Sequence, residues 1–275
     1  MTRRGLASLV LGLAFLVQGC AGLIAGKESA EAPPAPGPRA PGAPAPPISA
    51  PRAAAPGGSA RVEKGRPGFV IAAPHGTTDA ATDMMGRDLA KLTGFGLVVV
   101  TGYSNLDGEG RRYNVSRPTE GVPGGAARLE VETEAARQIY QAYRRQVAEA
   151  AQGPLRFYVE LHGNGRKESE GRMEIATVGV SRDDAWRLKT LLELIRDSRL
   201  PPEGDVPRLD VWVESQDALL YTASASKQSG MLGQAPLALH IELPRAARTT
   251  HREAYTTVLA DFLIQSAALL LPPPR

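Results

Sequence analysis

The chain has 275 residues, a formal net charge of +3, one cysteine and four histidines. One cysteine excludes an intramolecular disulfide, and with scattered arginines and no basic run interleaved with aromatics, nucleic-acid binding is not indicated. The absence of a Gly-x-Ser-x-Gly elbow argues against a serine hydrolase, and neither Gly102-Tyr103-Ser104 nor Gly108-Glu109-Gly110 makes a phosphate-cradling loop.

In chain order, Met1-Thr2-Arg3-Arg4 is a basic start, Gly5 to Val17 is an apolar core of signal-peptide length, and Val17-Gln18-Gly19-Cys20 follows. The segment resembles the lipobox of bacterial lipoproteins, which implies lipidation at Cys20 and a signal peptide over residues 1–20. Residue 21 is Ala rather than Asp, so the inner-membrane retention signal is absent. The expected location is the bacterial cell envelope, at the outer membrane facing the periplasm. Residues 21–60 are rich in Pro, Ala and Gly and lack a periodic apolar face, so they read as an extended spacer. Residues 61–272 have the size of one domain.

Within that domain the pattern predicts strands at Gly68–Ala73, Gly96–Thr101, Leu155–Leu161, Glu174–Val180, Leu209–Glu214 and Leu237–Leu243. Helices are expected at Thr82–Leu92, Leu129–Ala151, Asp183–Arg199 and Thr250–Leu270. Ser181 with Asp184 and Thr250 with Glu253 are placed to cap two of them. Trp186, Leu188, Leu191, Leu192 and Ile195 form the expected apolar face of the third helix. Strands alternating with helices predict a three-layer αβα fold around a mainly parallel mixed sheet. The loops Gly102–Ala127 and Tyr221–Pro236 are long enough to expect a functional role.

Two of the apolar runs end in histidine: Ala72-Ala73-Pro74-His75-Gly76 and Val159-Glu160-Leu161-His162-Gly163-Asn164-Gly165. The carboxyl ends of strands in an open α/β sheet are where ligands bind. Catalytic zinc needs three protein ligands and an open position. His75, His162 and an acid from the first turn, Asp79 or Asp83, can supply the ligands. A nearby carboxylate can then accept the proton of the attacking water. Glu242, in the last apolar strand Leu237–Leu243, is the candidate, because a carboxylate on a buried strand is costly unless paired or ligating. A structural reading pairs Glu242 with Arg245 instead. His240 lies two residues away on the same face, as a site-lining or core histidine.

Pro74-His75-Gly76, Asn114-Val115-Ser116-Arg117-Pro118, Glu160-Leu161-His162-Gly163 and Ile241-Glu242-Leu243 occur in that order. Together they resemble the N-formylglutamate amidohydrolase family, which is similar in fold to zinc carboxypeptidases. The resemblance implies Zn2+ as cofactor, held by His75, Asp79 and His162. It implies Glu242 as general base and Asn114 and Arg117 as the group that holds a substrate carboxylate. Tyr221 matches the spacing of the carboxypeptidases' substrate-contacting tyrosine. The implied partner is a small molecule or peptide bearing a carboxylate. The implied reaction is cleavage of an amide bond next to it. The chain departs from the pattern at three places. Thr78 stands where carboxypeptidases carry a ligating Glu, the Asn-Arg pair is split, and Glu160 replaces an Asp. A degenerate hydrolase fold serving as an envelope binding or scaffold lipoprotein is the competing expectation. A zinc-free carbohydrate-acting enzyme using Glu160 and Glu242 as its carboxylate pair is a third.

Overall fold

The computed structural model describes residues 58–76, 78–103, 112–122 and 129–271, all within the compact unit Arg52–Arg275. Cys20, the lipobox and nearly all of the spacer lie outside the described residues. No helix among the described residues is long and apolar enough to cross a membrane.

The architecture is a mixed α/β fold with a mostly parallel central sheet flanked by helices. The central strands are β2 (Arg66–Ala73), β3 (Phe95–Thr101), β6 (Phe157–Gly163) and β9 (Ala238–Leu243). They are flanked by β1 (Ser59–Glu63), β7 (Arg172–Val178) and β8 (Asp210–Val213), in the order β1-β3-β2-β6-β9-β7-β8. Pairs β2/β3, β2/β6, β6/β9 and β7/β8 are parallel, while β1 and β7 join antiparallel. Buried apolar residues cover both faces, as expected for strands that read as continuous apolar runs. Helices α1 (Thr82–Thr93), α3 (Arg182–Arg199) and α6 (Arg252–Leu270) pack on the face of Ile71, Leu97, Val159 and Ile241. Helix α2 (Glu134–Ala151) covers the other, packing Ile139, Tyr143 and Val147 against Val70, Val98 and Tyr158.

Several local expectations hold. The Ser181 hydroxyl accepts from Asp184 N at 3.1 Å and donates to its carboxylate at 2.7 Å, so the predicted cap of α3 is formed. Others are corrected. The helix expected from Leu129 begins at Glu134. Residues Glu130–Glu132 form instead β5, antiparallel to β4 (Thr119–Gly121), and Thr133 caps α2 by accepting from Ala136 N at 3.1 Å. The alternation Glu130-Val131-Glu132 suits a short ribbon, and the extended backbone of Thr133 ends it. The capping box Thr250–Glu253 is not formed. After the short helix α4 (Ser224–Ser229), another, α5 (Arg245–Arg248), precedes α6, and His251 takes the N-cap position without a side-chain bond. Of the face expected on α3, Leu188, Leu192 and Ile195 are buried and Leu191 packs on the core, but Trp186 is 59% exposed and Ala185 is buried in addition.

Candidate metal centre

The neighbouring strands β2, β6 and β9 end together and deliver the candidate residues to one edge. Pro74 halts β2, and the amides of Thr78 and Asp79 both donate to His75 O, at 3.0 and 2.9 Å. This tight turn folds the Asp79 carboxylate back onto the His75 ring. Gly76 fits closely there: its amide bonds Val100 O, and a Cβ would lie a tight 3.0 Å from that oxygen and 3.1 Å from the Asp83 Cβ. In the β6/β9 ladder, His162 is paired with Glu242 and Glu160 with His240, so four ionisable side chains share one face of two apolar strands.

Asp79 Oδ2 lies 3.6 Å from His75 Nδ1 and 3.5 Å from His162 Nδ1. It also accepts from Gly163 N at 3.1 Å. One donor atom from each of His75, Asp79 and His162 lies within 4.8 Å of the others. Donors about 2.0–2.1 Å from a tetrahedral zinc sit about 3.4 Å from one another, so the observed spacing suits one ion. Two imidazoles and a carboxylate are also a common zinc donor set. Three carboxylates (Asp79, Glu160, Glu242) face three imidazoles (His75, His162, His240) here, a balance that a divalent cation favours. The structure therefore gathers the three donors at one point. Asp83, the other acid weighed for the third position, pairs with Arg87 at 3.1 Å.

Behind the donors runs a hydrogen-bonded chain that no single motif announced. Tyr143 meets Tyr158 at 2.7 Å, hydroxyl to hydroxyl, and Tyr158 donates to Glu160 Oε1 at 2.9 Å. Glu160 Oε2 faces His162 Nε2 at 3.3 Å and His240 Nδ1 at 3.4 Å. With Nε2 carrying the proton toward Glu160, Nδ1 of His162 is left to ligate, a common arrangement around metal-bound histidine. Glu160 is 0% exposed and fully engaged, so it has no room for a sugar or a catalytic water. That removes the physical basis for a Glu160–Glu242 glycosidase pair. The signal for this chain was present as i, i+2 polar residues on the apolar strands, Glu160/His162 and His240/Glu242. It took the sheet order to connect them.

Glu242 Oε1 faces His240 Nε2 at 3.1 Å, and no pair with Arg245 is formed among the described residues. Glu242 Oε2 is buried with no hydrogen-bond partner among the described residues. Arg248, absent from the sequence reading, braces the edge. Its Nε donates to Leu243 O at 3.0 Å and its Nη1 to Ala80 O, tying the end of β9 to the turn that carries Asp79. A Cβ on Gly163 would overlap its guanidinium, which explains glycine after His162.

Burial and hydrogen bonding oppose each other here. Burial would raise the Asp79 pKa, but the His162 and His75 rings outweigh it and hold the carboxyl well below the usual range. Glu160 follows the same logic, held down against burial by His162 and His240. Burial would keep His162 neutral, but hydrogen bonds to Asp79 and Glu160 raise its pKa to about 10. A proton on this ring must therefore leave when a cation binds. With one proton displaced per ion, zinc affinity is expected to climb about tenfold per pH unit between about pH 7 and 9. Competition against a chelator across that range measures it, and a flat profile would contradict the arrangement.

The expected carboxylate-binding residues lie elsewhere in their interactions. Arg117 donates through Nε and Nη2 to the two oxygens of Glu130, at 2.8 and 2.6 Å. Asn114 Oδ1 accepts from the amide and hydroxyl of Ser116, at 3.2 and 3.1 Å. The amides of Tyr221 and Leu220 donate to Glu174 Oε2 at 3.0 and 2.8 Å, and Glu174 Oε1 accepts from Arg172 Nε at 2.7 Å. Glu174 in turn is paired with Glu242 in the β7/β9 ladder.

No protein-family model matches the chain, and no curated protein matches it in sequence. Among solved structures it is similar to a bacteriophage poly-gamma-glutamate hydrolase, at 13% identity and a TM-score of 0.43, covering 77% of this chain and 88% of that one. YndL in a zinc-free form gives 14% identity and a TM-score of 0.46, covering 76% and 90%. A metallo-carboxypeptidase from Burkholderia cenocepacia gives 12% identity and a TM-score of 0.38, covering 75% and 58%. Each likeness is one of chain trace at low identity.

Proposed function

We propose that the domain is a zinc-dependent hydrolase that cleaves an amide bond next to a free carboxylate, with His75, Asp79 and His162 holding the metal. The strongest support is the convergence of those three donors beside a buried carboxylate oxygen, Glu242 Oε2, that nothing in the described chain satisfies. Zinc at such a site supplies Lewis acidity toward the scissile carbonyl and a lowered pKa for water. The protein's own groups do the rest. Glu242 accepts a proton from the attacking water through Oε2 and passes it to the leaving amine. His240 faces its other oxygen and keeps the carboxylate aimed. Glu160 orients the His162 ring, and the Tyr143–Tyr158 pair anchors Glu160 in turn. An N-acyl amino acid, a peptide or a γ-glutamyl compound fits this chemistry.

As part of the same proposal, the protein is tethered to the bacterial envelope through lipid on Cys20, at the outer membrane and facing the periplasm. Its support is the basic start, the apolar core and the small residue before Cys20. Peptidoglycan stem peptides or γ-glutamyl polymers are then the substrates within reach.

Metal analysis and amine release from N-acyl-glutamate and γ-glutamyl peptides test the reaction. The purified full chain is expected to carry about one zinc and to hydrolyse at least one of these compounds, with both properties lost in His75→Ala. Substoichiometric zinc together with full activity in His75→Ala would reject the mechanism. Cys20→Ser is expected to leave the membrane fraction, and its retention there would reject the lipid tether.

A further inference from the structure

We infer that Asn164 and Arg166, on the loop leaving His162, form the subsite that takes the substrate's carboxylate. This rests on the hydrolase reading above and names the recognition group of the same site. Neither residue belongs to the motifs that carried the family resemblance.

The residues expected for the task are already satisfied. Arg117 spends its planar fork on both oxygens of Glu130, which also accepts from the Thr119 hydroxyl at 2.6 Å. Releasing that guanidinium to a ligand would strand a part-buried carboxylate. Asn114 turns its oxygen into its own loop.

The segment His162-Gly163-Asn164-Gly165-Arg166 offers the same two residue types in the opposite condition. Arg166 has no carboxylate partner among the described residues. Its guanidinium carbon sits 5.0 Å from the centre of the Tyr221 ring. Packing on an aromatic face fixes a guanidinium while leaving its N–H fork for a planar anion. The backbone that carries this ring is tied to β7, because Glu174 accepts the amides of Leu220 and Tyr221 and is the ladder partner of Glu242. Arg166 thus packs on a residue tied to β7, which flanks Glu242 on one side as β6 with His162 does on the other.

Asn164 adds an independent observation. Its backbone amide donates to Leu243 O at 3.0 Å, which prolongs the β6/β9 ladder beside Glu242. Asn164 is 4% exposed, and its Nδ2 has no hydrogen-bond partner among the described residues. A buried donor left unmade is costly, and one kept next to a site is explained by a ligand that accepts from it. A carboxylate that accepts from Asn164 Nδ2 and from the Arg166 fork satisfies both groups. It also sets the negative end of the substrate on the Arg166 guanidinium rather than against Glu242. The ligand class is thus a small acyl amino acid or peptide end with a free carboxylate.

Calorimetric titration of the full chain with N-acetyl-L-glutamate, with and without added zinc, tests this without relying on turnover. Arg166→Met is expected to weaken binding about 10- to 100-fold, the range for hydrogen bonds to a charged group, and Asn164→Ala about 3- to 10-fold. Arg166→Lys should restore part of the loss, since it keeps the charge and loses the fork. Arg117→Met should bind within about twofold of the parent, being engaged elsewhere. The dimethyl ester of N-acetyl-L-glutamate should bind the parent weakly and be indifferent to Arg166→Met. Thermal melts of each variant separate lost binding from lost folding. Unchanged binding in a folded Arg166→Met, transfer of the loss to Arg117→Met, or no binding by the parent would each overturn the assignment. Zinc content and turnover fail or succeed separately, so the hydrolase reading is judged on its own result.

Discussion

Replacing Glu242 by Gln is expected to lower turnover by a factor of about 10^2 to 10^4, with zinc content unchanged. The reason is positional. Glu242 lies outside the His75–Asp79–His162 donor cluster, so the ligand set survives its loss. One of its oxygens faces His240 at 3.1 Å, and the other is buried without a partner. A protein does not gain stability from an unsatisfied carboxylate oxygen on a buried strand, and such a group is tolerated where chemistry uses it. Glutamine keeps the shape and cannot take the proton. Steady-state kinetics with parallel metal analysis reads the result. A Gln variant that keeps full turnover would remove Glu242 from the reaction, and one that sheds its zinc would make it a ligand instead.

Glu160→Ala is expected to destabilise the metal-free protein by about 3–5 kcal/mol, the cost of breaking a buried ion pair by removing one member. It should also weaken zinc binding about 10- to 100-fold, as removal of a group that orients a ligating histidine does. The loss leaves His162 Nε2, His240 Nδ1 and the Tyr158 hydroxyl without their shared acceptor. The pH dependence is a sharper test than the size. Glu160 is held below its ordinary value of 4.5, so its contribution is complete above pH 4.5 and fades as pH falls toward the lower folded value. His162 is raised from 6.5 to about 10, so its contribution is complete below 6.5 and fades as pH rises through 10. The stability gap between parent and variant should therefore be widest between pH 4.5 and 6.5 and narrow on both sides. Urea unfolding of the chelator-treated proteins at several pH values measures it. A gap that does not vary with pH would mean the loss is one of packing alone.

Much of this was legible locally. Apolar runs of strand length that end in His75 and His162 identify both the strands and the edge of the sheet where a site can form. The two-residue spacing of His240 and Glu242 puts both on one face, because side-chain direction in a strand repeats every two residues. Helical spacing located α1 and α3 closely, but the same reasoning ran α2 back over Glu130–Glu132. A short polar ribbon has too few residues to show its own period, and only its partner β4 marks it as a strand.

By itself, then, the sequence determined the alternation of strands and helices, the apolar character of the sheet and the candidate donors, all set by neighbours in the chain. Tertiary structure set Asp79 between the His75 and His162 rings and left Asp83 on Arg87, since that depends on the Gly163 amide arriving from β6 to hold the Asp79 carboxylate. It decided that Glu160 serves two histidines at once and that Arg117 answers to Glu130 rather than to the metal centre. These outcomes depend on which strands lie side by side and in what register. That is a matter of packing between distant segments, and no local period in the chain encodes it.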